Sequence, residues 1–268
     1  MIIIYRNCYK IIPLIPNLIA LNSSLSSALT SSSIYKRGII VLQDLSSCFP
    51  PVVLLSEILN RKRKYNDNEN EIGTVIDATA APGNKTTLLS TLLNNKGRII
   101  AFEHMQKRFQ TLQSMVESSG CNNVTLNYGD FTKTDPNDYK DVTHILLDPS
   151  CTGSGIVNRL DYLTEQDTDT QNEKDERLNS LTTFQIKIIE HALKFPNLKR
   201  VVYSTCSVND EENEHVVLKI LQNNHDFKLS DKASVLPSWE TRGKLEAFEN
   251  NKGRFTFIIK TYSNCLFY

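Results

Sequence analysis

GTVIDATAAPGNKTTLLSTLL, residues 73–93, decides the fold class. Its first five residues are an apolar, β-branched run that predicts a strand over 73–77. Small residues and one Pro-Gly pair follow, and leucines at helical spacing predict a helix over 84–95. A turn of small residues between strand and helix lets backbone approach a ligand closely and aims helix N–H groups at it. The turn is not a Walker A loop, since Asn84 precedes Lys85 and Thr79 holds the upstream glycine position. It contains no GxGxxG either. Nicotinamide and ATP chemistry are disfavoured, and another nucleoside cofactor stays open.

Working outward, short apolar runs alternate with helical stretches. Strands are predicted at 98–103, 123–128, 143–148 and 200–204, and helices at 105–119, 178–195 and 209–223. This alternation specifies an α/β fold, doubly wound, with a mostly parallel sheet covered on both faces. The acids of NDEENE, 209–214, read as the start of the last helix, where the dipole favours negative charge. Two polar stretches interrupt the rhythm: the charge run 61–71, read as a solvated loop, and 161–177, read as an exposed acidic loop. The chain of 268 residues is expected to form a catalytic domain over 38–268, preceded by a segment over 1–37 that is either a targeting sequence or a remnant of an RNA-binding region.

Thirty basic and thirty acidic residues give zero formal charge, so any nucleic acid must find a patch rather than a uniform field. No acid precedes Asp44, whereas Arg6, Lys10, Lys36 and Arg37 do. No apolar run is long enough to span a bilayer, so no membrane partner is expected. The six cysteines include no CxxC pair, which points away from zinc and from a disulfide scaffold; no metal is expected.

Glu103 ends the second strand about 20 residues past the turn, where a carboxylate can accept from two ribose hydroxyls. Asp130 lies just beyond the third strand with similar access. Cys151, in DPSCTGSG (148–155), follows the fourth strand, and Cys206, in YSTCS (203–207), follows the fifth. Adjacent strand ends of a parallel sheet face one crevice, so both thiols can converge there. Cys206 also shortly precedes a predicted helix N-terminus, a setting that lowers a thiol pKa. Each cysteine taken alone is equally readable as core filler.

DATAAPGNKT, FEHMQKR, YGDFTKTD, DPSCTGSG and YSTCS, in this order, resemble the motifs of the Sun-family (Fmu-type) RNA cytosine-C5 methyltransferases across residues 38–240. DPSC, with QDLSSCFP upstream, is similar to the branch acting on large-subunit ribosomal RNA. The resemblance implies a class I methyltransferase fold and S-adenosylmethionine as cofactor. It implies that Thr79, Ala80, Ala81, Pro82, Gly83, Asn84 and Lys85 hold the methionine and ribose part, Glu103 the ribose hydroxyls and Asp130 the adenine side. Arg108 and Asp148 fall at cofactor-associated positions too, though Arg108 is also readable as an ordinary solvent-facing arginine.

Carbon 5 of cytosine is too weakly nucleophilic to be methylated unaided, so a nucleophile must first add at carbon 6. DNA C5 methyltransferases use the thiol after the fourth strand, and the Sun family the one after the fifth. The resemblance therefore selects Cys206 as nucleophile, with Cys151 assisting product release, Asp148 bonding the ring edge and Lys85 supporting it. The expected partner is RNA with a single-stranded or extruded cytosine, not DNA, and the expected state is a monomer. Basic residues at 36–37 and 61–64 are candidates for the RNA backbone, and Phe131 or Tyr162 for base stacking. A ribosomal substrate implies the nucleolus, while the acid-free start leaves the mitochondrion open. Departures at both termini sustain an alternative, a non-catalytic RNA-binding or ribosome-assembly factor that retains the fold.

Overall fold

A computed structural model describes residues 9–12, 15, 18–59, 73–156, 170–230, 235 and the backbone of 255–260. The stretch 61–71, Tyr162 and the basic residues at 61–64 lie outside the described residues. In chain order the elements are β1 (Tyr9–Ile11), β2 (Ile19–Leu21), α1 (Ser26–Ser31), α2 (Ser33–Lys36), α3 (Leu45–Leu54), β3 (Thr74–Asp77), α4 (Asn84–Leu92), β4 (Ile99–Glu103), α5 (Gln106–Ser118), β5 (Val124–Tyr128), β6 (Val142–Leu147), α6 (Gln171–Ala192), β7 (Arg200–Thr205), α7 (Glu214–Asn223), β8 (Lys228–Leu229) and β9 (Phe255–Lys260). Short 3-10 turns at Phe131–Lys133, Pro136–Tyr139 and Asp210–Glu212 punctuate the loops.

One seven-stranded sheet carries the fold, in the order β5-β4-β3-β6-β7-β9-β8, with neighbouring strands parallel. The chain builds outward from β3 to β5, then returns to place β6 on the other side of β3. That reversal between β3 and β6 is a topological switch point, and it opens a crevice at the carboxyl ends of the strands. Among the described residues, β1 and β2 pair only with each other, antiparallel.

The central strands read as continuous apolar runs because both faces are covered. Val75, Ile99, Leu146 and Val202 point to one face and pack with Phe49, Val53, Leu54, Leu89 and Leu93 from α3 and the α4 region. Ile76, Ile100, Ile145 and Tyr203 point to the other and pack with Ile188, Ile189, Val217 and Ile220 of α6 and α7. The doubly wound expectation therefore holds residue by residue.

β1, β2, α1, α2 and β8 were not among the expected elements, and three larger ones, α3, α6 and α7, also differ from the sequence expectation. α3 was not expected, because Pro50 and Pro51 lie inside it. Each proline removes a helical N–H and orphans a carbonyl one turn earlier. Gln43 Nε2 donates to the Ser47 carbonyl that Pro51 leaves free, at 2.9 Å. Burial of every residue from Cys48 to Leu54 then stabilises the helix. Arg200, almost fully buried, fastens it to β7: its guanidinium donates to the Val53 carbonyl at 2.9 Å and Ser56 Oγ at 2.7 Å, and pairs with Glu57.

Residues 171–177 are helical rather than part of an acidic loop. α6 starts in a capping box, with Thr170 N–H donating to Glu173 Oε2 at 2.7 Å and Glu173 N–H donating to Thr170 Oγ1 at 3.3 Å. The last expected helix also starts later, at Glu214 after the 3-10 turn. Its acids are not all solvated, since Glu212 and Glu214 are buried. Gly38, at the expected domain boundary, has φ +67° and lies against the Ser118 carbonyl, where a side chain has no room.

β3 is bolted to α4 by a buried carboxylate: Asp77 Oδ2 accepts from Thr86 Oγ1 at 2.7 Å. Burial pushes the Asp77 carboxyl up to about 6, against the Thr86 bond and the nearby Lys85 charge. The folded chain thus binds the proton more tightly than the unfolded one, so this group's stabilisation is complete below about pH 4 and is lost as pH rises through about 6. Asp77→Asn, measured by urea unfolding across pH 4–7, is expected to flatten a fall in stability of about 3 kcal/mol. An equal fall in wild type and variant contradicts this. Leu89→Ala, in the core between α4 and the sheet, is expected to cost about 2–5 kcal/mol in the same assay.

Candidate active site

The crevice at the switch point is a cavity of about 580 Å³. Thr79, Ala81 and Pro82 come to it from the turn after β3, Glu103 and Arg108 from the β4–α5 junction, and Asp130 from the turn after β5. Asp148, Cys151 and Cys206 close it on the β6 and β7 side. Ala80, Gly83, Asn84 and Lys85 stand behind this lining. Ala80 donates its N–H to the Phe102 carbonyl at 3.0 Å, and Asn84 Nδ2 donates to the Leu42 carbonyl at 2.9 Å. Gly83 has φ +120°, and a Cβ there meets Met115 Cγ at 2.9 Å, so only glycine brings α4 this close to α5.

Glu103 is buried to its carboxyl group, which accepts from Met105 N–H at 2.8 Å and faces Arg108 Nε at 3.5 Å. Arg108 is exposed yet tied, since its Nη2 donates to the Ala81 carbonyl at 2.8 Å. It braces the β3 turn against Glu103. Asp130 Oδ1 accepts from Thr132 N–H and Oγ1, both at 2.9 Å. Partial burial pushes its carboxyl up, but the Thr132 bonds and the Lys133 charge together hold it below the usual range.

On the opposite wall, Lys85 Nζ meets Asp148 Oδ2 at 2.6 Å, and Ser204 Oγ donates to Asp148 Oδ1 at 2.6 Å. Asp148 N–H donates to Thr79 Oγ1 at 2.9 Å, fixing the residue from a third direction. Burial alone pulls the Lys85 ammonium down, and the Asp148, Asp77 and Cys206 partners outweigh it, so Lys85 is held above its ordinary value.

Cys151 and Cys206 lie together, with Sγ atoms 3.0 Å apart and both thiols free. Cys206 N–H also donates to Cys151 Sγ at 3.3 Å. The hydrogen bond from Cys151 pulls the Cys206 thiol down, against burial and the Asp148 charge, with Lys85 adding to the fall. The same bond, with burial, pushes Cys151 far up. The shared hydrogen bond thus separates the two thiols, lowering Cys206 and raising Cys151. The helix dipole expected to act on Cys206 does not contribute: α7 starts at Glu214, eight residues on, and such a field fades within one turn. Cys48 is a buried core thiol pushed up to about 12 by burial.

Sequence reasoning named both thiols, Asp148 and Lys85, but missed Ser204 and the α6 face of the cavity, Arg177, Leu181, Phe184 and Ile188. Ser204 sat within YSTCS and carried no separate signal. Phe131, considered for base stacking, is 3% exposed and stacks on Phe195, so it belongs to the core beneath the cavity. Lys36 and Arg37 are exposed. Among the described residues there is no cluster of three or more His, Cys, Asp or Glu side chains able to hold a metal, and no helix long and apolar enough to cross a membrane.

Residues 64–257 match the family model described as 16S rRNA methyltransferase RsmB/F. The chain is 47% identical over 231 residues to the 25S rRNA (cytosine-C(5))-methyltransferase rcm1 of Schizosaccharomyces pombe, covering 85% of this chain and 47% of that protein. It is 40% identical over 234 residues to the 28S rRNA (cytosine-C(5))-methyltransferase of Mus musculus, covering 86% of this chain and 46% of the other. It spans about half the length of these curated relatives. Among solved structures, NSun6 from Pyrococcus horikoshii with SFG aligns at TM-score 0.59 and 28% identity, over 75% of this chain and 46% of that one. A methyltransferase homolog protein from the same organism aligns at TM-score 0.57 and 28% identity, over 80% and 61%. With the family model spanning most of the chain and a parallel sheet that presents two thiols at adjacent strand ends, the chain belongs to the RsmB/F family of rRNA methyltransferases.

Proposed function

We propose that the chain transfers a methyl group from S-adenosylmethionine to carbon 5 of a cytosine in large-subunit ribosomal RNA, through a covalent adduct of Cys206 at carbon 6. The observation that carries this reading is the 3.0 Å approach of Cys151 and Cys206 beside the Lys85–Asp148 ion pair. Large-subunit RNA is preferred because the relatives at 47% and 40% identity are named for 25S and 28S rRNA. The reading assigns residues 38–268 to the catalytic domain and 1–37 to a separate N-terminal segment, and it takes the chain as a monomer working in the nucleolus.

The chain fits the cofactor on its own geometry. The cavity is open, its floor is the small-residue turn, and Glu103 stands at its wall with a buried carboxylate able to accept from vicinal hydroxyls. We assign the turn from Thr79 to Lys85 to the methionine and ribose part, Ala80, Gly83 and Asn84 acting by shaping its backbone from behind. Glu103 takes the ribose hydroxyls and Asp130 the adenine side. Arg108 keeps the turn and Glu103 in register, and Asp148 borders the donor end. S-adenosylmethionine, when bound, supplies an electrophilic methyl group on a sulfonium.

The protein's own groups do the rest. The hydrogen bond from Cys151 favours the Cys206 thiolate, the form able to add to carbon 6. Addition forms the S–C6 bond and moves the ring's 5,6 electron pair to carbon 5, the position that would take the donor's methyl group as the donor's S–CH3 bond breaks to leave a neutral thioether. Asp148, held by Lys85 and Ser204, accepts from the exocyclic amino group and orients the ring. A water molecule takes the carbon 5 proton, the C5–H electron pair restores the 5,6 double bond, and the S–C6 electron pair returns to the Cys206 sulfur. The departing Cys206 thiolate regains the Cys151 hydrogen bond, so Cys151 assists release. The target base must be unpaired or extruded for carbon 6 to be reached.

Transfer of labelled methyl to ribosomal RNA, mapped by bisulfite sequencing, tests the activity. RNA binding without transfer supports the scaffold alternative instead. Cys206→Ala is expected to abolish both adduct and methylation, whereas Cys151→Ala forms the adduct more slowly but leaves it stalled, visible as a gel shift under denaturing conditions. The reverse pattern exchanges the two roles.

A further inference from the structure

Glu212 presents a buried carboxylate with no place in the chemistry above. It is 0% exposed, and its four partners are uncharged donors. Oε1 accepts from Thr152 N–H at 2.9 Å and Gln185 Nε2 at 3.0 Å. Oε2 accepts from Thr152 Oγ1 at 2.5 Å and Asn209 Nδ2 at 3.4 Å. Taking a carboxylate out of water is costly, and a leucine would fill the space if packing alone were needed. The arrangement of its partners gives the reason for its presence. Gln185 Nε2 also donates to the Ser150 carbonyl at 3.0 Å. Ser150 and Thr152 are therefore both pinned, and the residue between them is Cys151.

The carboxylate is itself anchored to the strand that carries Cys206. The Glu212 carbonyl accepts from Tyr203 Oη of β7 at 2.6 Å. Its neighbour Asn213 accepts from Thr205 Oγ1 at 2.7 Å and donates to the Ser207 carbonyl at 3.0 Å and the Asn209 carbonyl at 2.7 Å. Residues 205 and 207, on either side of Cys206, are thus held by the residue next to Glu212. Gly155 N–H, donating to the Cys206 carbonyl at 2.9 Å, adds a direct tie between the loops.

We propose that Glu212 is the positioning residue of this site: it clamps the loop bearing Cys151 to the segment bearing Cys206, and so fixes the distance between the two thiols. The consequence for catalysis rests on the roles assigned to those thiols above, but the clamp itself does not. Loss of the carboxylate removes its bonds to Thr152 and Gln185, loosens the Cys151 loop against its remaining ties and lengthens the mean sulfur–sulfur distance, which slows any reaction needing both sulfurs at once.

Diamide oxidation reads this distance without any RNA or methyl donor. Diamide accepts two electrons and two protons from the thiol pair and becomes the hydrazine, leaving a Cys151–Cys206 disulfide. Glu212→Gln keeps the shape but puts an amide NH2 where a donor now needs an acceptor. Its disulfide, quantified as a 2 Da loss on the linked peptides, is expected to form at least about tenfold more slowly than in the wild type, with thermal melting still cooperative. RNA methylation is expected to lose kcat with little change in KM for RNA. An oxidation rate within about twofold of wild type in a folded variant overturns the clamp. If Glu212→Gln does not fold, Gln185→Met decides: it removes the Nε2 bonds to Glu212 and to the Ser150 carbonyl, slower oxidation supports the clamp and an unchanged rate overturns it. If the Cys→Ala variants refute the catalytic roles, the oxidation rates still judge the clamp separately.

Discussion

Parallel pairing of β6 with β7, with Leu147 opposite Tyr203, is the constraint on which the site depends. Two parallel neighbours end at the same edge of a sheet, so the segments leaving them run side by side whatever their sequence separation. Cys151 and Cys206 are 55 residues apart, and this pairing brings their sulfurs to 3.0 Å. β3, paired to the other side of β6, brings the small-residue turn and Lys85 to the same edge. The chemistry is assembled by strand order, and the loops only refine it.

The refinement is electrostatic. Asp77 is buried and Lys85 largely so, where unbalanced charge is expensive, while Asp148 and Cys151 are partly exposed and Cys206 exposed at the mouth of the same site. Lys85 answers Asp148 directly and Asp77 from a distance, while burial pushes the Asp77 carboxyl up to about 6. That leaves Asp148, with Ser204 and Thr79 on its remaining bonds, as a fixed carboxylate facing the cavity. Cys206 draws on the same balance through Lys85, but its main support is the proton on Cys151. A thiol whose neighbour is another thiol is tuned without adding a second charge to the pocket.

β3, β4, β6 and β7 were legible because strands buried on both faces are largely apolar, as in TVID, IIAFE and VTHILL, whereas β5 is a half-exposed edge strand. The thiols, Glu103 and Asp130 were legible because strand ends in such a sheet share one edge. α3 was not, since two prolines break the local helical pattern and only tertiary burial and the Gln43 bond to Ser47 sustain it. The start of α6 was hidden by its charge, although Thr170 and Glu173 carry a capping-box spacing that could have revealed it. Glu212 was read only as one of the acids at a helix start, and its burial had no signal in the sequence. An acid beside a helix start looks solvated in sequence, and only the approach of Thr152 and Gln185, 60 and 27 residues away, turns it into a buried acceptor.

The central claim is that the sulfur of Cys206, and not that of Cys151, bonds to the base. RNA bearing 5-fluorocytidine at the target position carries fluorine where the proton must be lost, so the adduct cannot resolve after methyl transfer. Peptide mass spectrometry of that trapped complex is expected to find the methylated nucleotide on the peptide containing Cys206. A nucleotide on the Cys151 peptide, or none on either in a preparation that methylates ordinary RNA, contradicts the account.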